Sequence, residues 1–388
     1  MATDLSRPED RAYFDHNATS PPDPRVVEAM LPHLGVLHGN PSSVHAVGQA
    51  ARAAVERARR QVAELLGGSA PEVLFTSSGT EANNAVVRAA AAGGGRLVVS
   101  SLEHPSIRVQ AEELAGQDID VVSVTPGPDG IVSADRLLDA VNEDTRLVAL
   151  MLANNELGTL QPVAEVGRRL RDRGVPLLCD AVQAVGKVAV DVHELHVDYL
   201  TLGGHKFHGP IGAAALWVRG GAPFEALLVG GGQERHRRAS TENVPAIVGL
   251  GVASEIAANE LAERRRHLQE LRDRFEQRVT ALAGVTIHCA GSPRLPHTSH
   301  VAFEGVDAQT LLIRLDLRGF AVSTGAACAS GVVEPSATLL AMGIDAKEAL
   351  ASLRISFGLT NTPAEIDAFL EVLQEEVAKL RHTAEVPV

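Results

Sequence analysis

Five short stretches hold side chains that could do chemistry. VDYLTLGGHKFHGP (197–210) sets Lys206 just after two glycines. A lysine is a strongly hydrated point charge and rarely helps a packed strand end. Held in a partly desolvated pocket, its amine loses its proton more readily and can form a Schiff base. By position alone, a surface lysine is the plainer reading. HKFH could also be a metal-binding pair, although two histidines without further ligands are weak evidence. CDAVQ (179–183) offers Asp180 and Gln183, SSGTE (77–81) offers Gly79 and Thr80, and SLEHPS (101–106) offers His104. STGAACASG (323–331) sets Cys328 among small residues that do little to hold a segment in place.

Taken singly, these groups have bland roles. Asp180 or Thr80 would serve as helix N-caps and His104 as a satisfied loop histidine; a lone cysteine is most often a small core residue. Taken together they supply the needs of one cofactor. A carboxylate such as Asp180 pairs with a protonated pyridine nitrogen, the partner that pyridoxal phosphate requires as an electron sink. Gln183 is placed to bond a ring substituent. SSGTE lies where a strand-like run meets a helical one, and a helix N-terminus there favours phosphate. The His104 ring can stack on an aromatic system and move protons. Lys206 is the Schiff-base amine. The segment around Cys328 is too poor in large apolar side chains to be ordinary core, whereas Cys179 and Cys289 suit core positions.

These residues need a scaffold, and the pattern along the chain suggests one. Apolar, β-branched runs at 72–78, 96–101, 119–126, 145–153, 175–181, 197–204 and 213–218 read as strands. Helical patterns lie at 48–67, 80–93 and 163–174. This alternation predicts an α/β fold with a mostly parallel central sheet covered by helices. Ligands bind beyond the carboxyl ends of such strands, and FTSSGTE, SLEHPS, LANNELG, CDAVQ and GGHK all follow strand-like runs. Beyond about 253 a long charged helix (253–279) leads to short strands (VTIHC, SHVAF, FAVST) and helices near 307–317 and 364–381. The expected division is a large domain over 14–255. A smaller α+β domain would take 1–13 and 256–388 and carry the cysteine segment at about 323–335.

Composition narrows the class. The chain has 388 residues, 45% hydrophobic and 21% charged, as in an ordinary globular enzyme. Its net charge of −13 argues against direct nucleic-acid binding. The charged N-terminus does not read as a secretory signal, and no apolar run approaches a membrane span. Three cysteines at wide spacing do not form a disulfide framework, which points to a reducing, cytoplasmic location.

Nearly the whole chain resembles the cysteine desulfurases of the class-V, fold-type I pyridoxal-phosphate enzymes, in the iron–sulfur and nitrogen-fixation group with a long cysteine loop. The resemblance runs through YFDHNATSPPDPRV (13–26), HGNPSSVH (38–45), FTSSGTEANN (75–84), EHPSI (103–107), NNELG (154–158), CDAVQAVGK (179–187), GGHKFHGP (203–210), GGGQERHRRAST (230–241), STGAACAS (323–330) and LRISFGLTNT (353–362). It implies that Lys206 carries the cofactor and that Asp180 pairs with its pyridinium nitrogen. Gln183 and Asn155 would contact the phenolate side, and His104 would stack on the ring. Gly79, Thr80 and His205 would hold the phosphate, with Thr241 of the other subunit completing the cradle in a homodimer. Arg354, assisted by Asn155, would take the substrate carboxylate, a task that suits its fork. Cys328 would accept sulfur from L-cysteine as a persulfide, leaving alanine, and pass it to a scaffold or carrier protein. Gly203 stands where members usually carry Ser or Thr, so a phosphate-contacting hydroxyl is missing while its backbone N–H remains. A selenocysteine lyase, another pyridoxal-phosphate enzyme indifferent to Cys328, and a non-catalytic adaptor stay open as alternatives.

Overall fold

Strands without polar alternation are what a sheet covered on both faces requires. The computed structural model describes residues 11–325 and 334–385. Its strands are β1 (Ala12–Tyr13), β2 (Val73–Thr76), β3 (Gly95–Ser100), β4 (Ile119–Val124), β5 (Thr145–Ala149), β6 (Leu177–Asp180), β7 (Tyr199–Gly203), β8 (Ala214–Val218), β9 (Val285–Ile287), β10 (Thr298–Phe303), β11 (Phe320–Ala321) and β12 (Ser352–Ser356). Its α-helices are α1 (Pro24–Met30), α2 (Ala46–Leu65), α3 (Gly79–Ala91), α4 (Pro105–Ala115), α5 (Ala134–Asp139), α6 (Val163–Arg171), α7 (Val244–Val279), α8 (Ala308–Leu317), α9 (Ala337–Ala341), α10 (Ala346–Leu350) and α11 (Pro363–Glu385).

A seven-stranded sheet in the order β2-β8-β7-β6-β5-β3-β4 forms the centre. Only β8 runs antiparallel to its neighbours; the other junctions are parallel. Successive side chains on a strand enter opposite faces. Phe75, Val98, Leu177 and Cys179 join the apolar cluster under α2 and α7. Leu74, Leu97, Val99 and Leu178 join the one under α3 and α4. The expected mostly parallel, helix-covered sheet is therefore present.

A third apolar cluster, rich in phenylalanine, lies around the three-stranded sheet β12-β10-β9. Phe14, Phe275, Phe357 and Phe369 pack there, with ring centroids 5.1 Å apart for Phe14 and Phe369. The N-terminal half of α7 packs in the cluster it shares with α2 and its C-terminal half, from Leu268, in the phenylalanine-rich one.

Three sequence expectations need correction. Helix α7 begins at Val244, earlier than the expected 253, because Gly249 and Gly251 serve packing rather than breaking the helix. A β-carbon at Gly251 would lie 2.6 Å from Ala58 of α2, and one at Gly249 would lie 2.6 Å from the Met30 sulfur. This earlier start also makes one stretch of α7 long and apolar enough for a membrane span by length and composition, though 50% of it is buried inside the protein. Strand β12 was not anticipated, although SLRIS alternates: Leu353 and Ile355 enter the phenylalanine core while Arg354 points away from it.

One buried ion pair ties α2 to the loop before α7. Arg59 donates to Glu234 through both terminal nitrogens at 2.7 and 2.8 Å. Glu234 also accepts the Phe75 N–H at 3.0 Å, and the guanidinium lies 4.7 Å from the Phe75 ring centroid. Glu234, Arg235 and His236 all sit in the left-handed region, which non-glycine residues seldom adopt in succession. Replacing Arg59 with methionine leaves the Glu234 charge buried and unpaired. The expected loss is about 3–5 kcal/mol of stability, read from urea unfolding; an unchanged midpoint would show that the pair does not hold this loop.

Candidate active site

The strands β2, β3, β5, β6 and β7 share one direction, and their carboxyl ends open on one cavity of about 220 Å³. Its wall includes Gly79, Thr80, His104, Asn155, Asp180, Gln183, His205 and Lys206. Eight of the residues expected from sequence thus come together from five separate strand ends. Covered faces demand apolar side chains, so polar groups collect where the strands stop.

Asp180, the last residue of β6, is buried. Its carboxylate accepts from Asn83 Nδ2 at 2.8 Å and from the Val182 N–H at 3.0 Å. Asn83 Nδ2 also donates to Ser106 Oγ at 3.0 Å. Ser106 Oγ is 2.8 Å from His104 Nδ1, which accepts the Ser106 N–H at 3.1 Å while capping α4. A line of hydrogen bonds therefore joins the carboxylate to the imidazole. Burial, and then Lys206, hold His104 below the ordinary imidazole range despite the opposing pull of Asp180. Sequence reasoning missed Asn83 and Ser106. The signal for Asn83 was present: it lies one turn beyond Thr80 on α3 and so faces the same way.

Lys206 sits in a short 3₁₀ turn after β7. Its Nζ donates to the Asn17 and Ala18 carbonyls at 2.6 and 2.7 Å. Burial, and then Arg354, bring its pKa down to about 8. Gln183 Nε2 donates to the same Asn17 carbonyl at 2.9 Å. His205 is 3.1 Å from Thr19 Oγ1; burial, with Lys206 and Lys187 beside it, lowers its pKa to about 4, so it is neutral at physiological pH. Among the described residues, His205 and His208 of the HKFH pair belong to no group of three or more potential metal ligands.

Arg354 comes from the phenylalanine-rich core, on β12. Nη1 donates to the Asn155 carbonyl at 3.0 Å and Nη2 to Asp15 Oδ1 at 2.6 Å, while Nε has no partner among the described residues. Gly203 ends β7 with extended backbone, and a β-carbon there would make only ordinary contacts with Val182 and His205. Thr241 lies outside the cavity, in a separate depression with Thr76, Ser77, Arg238 and Asn243. Cys179 is fully buried in β6, as expected of a core cysteine, whereas Cys289 is only partly buried. Cys328 lies outside the described residues.

The cavity suits pyridoxal phosphate. The α3 N-terminus suits an anion, and Gly79 at its head must stay bare because a β-carbon would meet Val182 at 2.8 Å. Asp180 offers a carboxylate, His104 a flat ring, and Lys206 an amine at lowered pKa.

The class-V aminotransferase family profile matches residues 12–369. "Cysteine desulfurase IscS" of Methanosarcina thermophila is 41% identical over 374 residues, covering 95% of this chain and 93% of that protein. "Putative cysteine desulfurase IscS 1" of Bacillus subtilis is 39% identical, covering 96% of this chain and 100% of the relative. A solved "NifS-like protein" superposes with a TM-score of 0.89 at 36% identity, over 95% of this chain and 100% of that one. "SspA in complex with cysteine" superposes with a TM-score of 0.80 at 32% identity, over 89% of this chain and 98% of the other. The chain belongs to the class-V aminotransferase family of pyridoxal-phosphate enzymes, among the cysteine desulfurases.

Proposed function

We propose that this chain converts L-cysteine to L-alanine and passes the sulfur, through Cys328, to an acceptor protein. That acceptor would be an iron–sulfur scaffold or a carrier for tRNA thiolation or another thio-product pathway. The observation that carries the reading is the meeting of Lys206, Asp180 and His104 at one cavity, with Arg354 reaching its edge at Asn155. Bound pyridoxal phosphate supplies an electron sink that weakens bonds at the substrate α- and β-carbons.

The remaining steps belong to the chain. Lys206 would hold the cofactor through its amine. That amine, lowered by burial, would serve as the base at the substrate α-carbon. Asp180, anchored by Asn83 and the Val182 N–H, would pair with the pyridine nitrogen. His104 would stack on the ring. The N-terminus of α3 with Gly79, Thr80 and His205 would take the phosphate, joined by the Gly203 N–H. Arg354 takes the substrate carboxylate, exchanging its bond to Asp15 for a charge-assisted fork. Gln183 and Asn155 face the phenolate side. The Cys328 thiolate attacks the substrate sulfur; the Cβ–S bond breaks with its electron pair left on carbon, which takes up a proton on the way to alanine, and Cys328 keeps the sulfur as a persulfide.

We place Thr241 at the partner's cavity in a homodimer. Its position outside the cavity of its own chain supports this, as do exposed apolar side chains at Leu34, Val36 and Val44. The reading also divides the chain near 255, within α7. The two apolar clusters that α7 joins support that division, with Phe14 packing alongside the smaller unit. Thiol chemistry at Cys328 suits a reducing, cytoplasmic setting.

The decisive experiment incubates the holoenzyme with L-cysteine and a reductant, and measures alanine and sulfide. Equal amounts are expected from the wild type. In Cys328→Ala the rate should drop by about a hundredfold or more, as when a reacting group is deleted, while the cofactor colour stays. An equally active variant would remove Cys328 from the mechanism. The lowered Lys206 pKa gives a second test. The neutral amine is the nucleophile, so uptake of pyridoxal phosphate by cofactor-free protein should rise with pH, with a midpoint near 8; a midpoint near the ordinary lysine value would contradict the pocket's effect. Gly203→Ser restores a hydroxyl where the backbone and space allow one. Hydrogen bonds to charged groups contribute about 1.5–3 kcal/mol, so the cofactor Kd should fall roughly tenfold or more in a fluorescence titration. No change would mean that the hydroxyl does not reach the phosphate.

A further inference from the structure

A second, smaller chamber lies behind Lys206. Among the described residues, Lys206 alone lines both this chamber and the active-site cavity, so its side chain stands between the two. The chamber measures about 20 Å³, room for about one water molecule. Its walls come from both cores. Phe207 belongs to the cluster under α2 and α7, and Leu268 and Phe357 belong to the phenylalanine-rich one. Two glycines keep the walls bare. A β-carbon at Gly186 would lie 2.6 Å from that of Phe207, and one at Gly358 would collide with the His16 ring. His208 and Leu359 are only half-buried, which gives a small ion a way in.

Six basic side chains line the chamber: His16, Lys187, Lys206, His208, Arg264 and His297. No lining residue is acidic. Arg264 is engaged outside it, donating to Glu260 through Nε and Nη2 at 3.1 and 2.9 Å. His208 Nδ1 donates to the Pro21 carbonyl at 2.9 Å. His16 and His297 differ. They are 2% and 1% exposed, and neither nitrogen of either ring has a hydrogen-bond partner among the described residues. Lys187, also buried, donates to Gln183 Oε1 at 3.2 Å and has further hydrogens to give.

Buried polar groups almost always have a partner, so four unpartnered ring nitrogens on one chamber point to a ligand. The surrounding charges say which kind. Burial, and then His208 and Lys187, bring His16 down to about 3. Burial, and then Lys187 and His16, hold His297 well below the ordinary imidazole range. Each basic group opposes protonation of the next. A water molecule would satisfy the nitrogens and leave this repulsion in place. An anion accepts the same N–H groups and offsets it.

We propose that this chamber is a binding site for one small monovalent anion, which ties the two cores together behind Lys206. The ion would accept N–H groups from His16, His297 and Lys187, beside the fixed positive charge of Arg264. The volume admits a halide or hydrosulfide ion and excludes sulfate and phosphate. Chloride would come from the medium. Hydrosulfide would come from turnover under a reductant, and that source alone rests on the desulfurase reading.

Holoenzyme crystals grown in bromide provide the first test. Anomalous scattering should show one bromide in the chamber, in contact with His297 and Lys187. Thermal unfolding provides the second, with chloride replacing the bulkier gluconate at constant ionic strength. The wild-type Tm should rise by a few degrees and saturate, as for a ligand that binds only the folded state. His297→Leu and Lys187→Met remove N–H donors at roughly constant volume, and both should lose the saturating rise. Repeating the titration with sulfide separates the sources. Saturation at lower concentration than chloride identifies hydrosulfide as the preferred ligand, and a response to chloride alone identifies the ion of the medium. Should neither variant fold, the bromide position and the wild-type titrations still decide. A chamber without bromide, or a Tm response that the variants share, overturns the site and leaves it to water. Binding needs no turnover. A protein that binds bromide here and makes no alanine from L-cysteine would therefore overturn the desulfurase reading and the hydrosulfide source, while the site stands.

Discussion

A sheet covered on both faces leaves polar groups one place to go. Every strand at the centre of this molecule buries apolar side chains above and below, and an unpaired polar group in either layer would cost several kcal/mol. The chain therefore discharges its polar residues where the strands end. Five strands pointing one way deliver theirs to one spot. The cavity is a consequence of that packing constraint, and the chemistry depends on it.

The same burial tunes the groups it gathers. Lys206 falls to about 8 and His205 to about 4, with burial the largest cause in both. Deeper still, burial and then Asp180 hold Glu103 well above the ordinary carboxyl range, which favours its neutral form behind the cavity. Lys187 is pulled well below the lysine range by burial and then by Lys206 and Arg354, while its Nζ donates to Gln183 at 3.2 Å. Desolvation penalises every charged form, so the floor of the site is held mostly neutral. A neutral floor leaves the field there to a few charges. Asp180 keeps its hydrogen-bonded place among them.

Two cores meet over this site. The sheet supplies the lysine, the carboxylate and the imidazole. The phenylalanine-rich core supplies Arg354, whose bond to the Asn155 carbonyl crosses between the cores, while its bond to Asp15 stays beside Phe14 and Ser356. Helix α7 runs through both, so a change at its glycines would be felt at each end.

Much was legible from sequence because it depends on local pattern. Uninterrupted apolar runs identified the strands, and the polar residues just after them identified most of the cavity wall, from Gly79 to Lys206. Three things were not legible. The early start of α7 was hidden by Gly249 and Gly251, whose role is close contact with Met30 and Ala58, residues far away in the chain. Asn83 and Ser106 were hidden because a hydrogen-bond bridge to Asp180 requires α3, α4 and β6 side by side. The chamber behind Lys206 was hidden because His16, Lys187 and His297 are unremarkable singly and far apart in the chain. Sequence by itself determined which residue types stand at which strand end, since that follows from the order of apolar and polar residues along one chain. Tertiary structure decided which of them touch and which are desolvated, because contact and burial belong to elements distant in sequence and brought together only by packing.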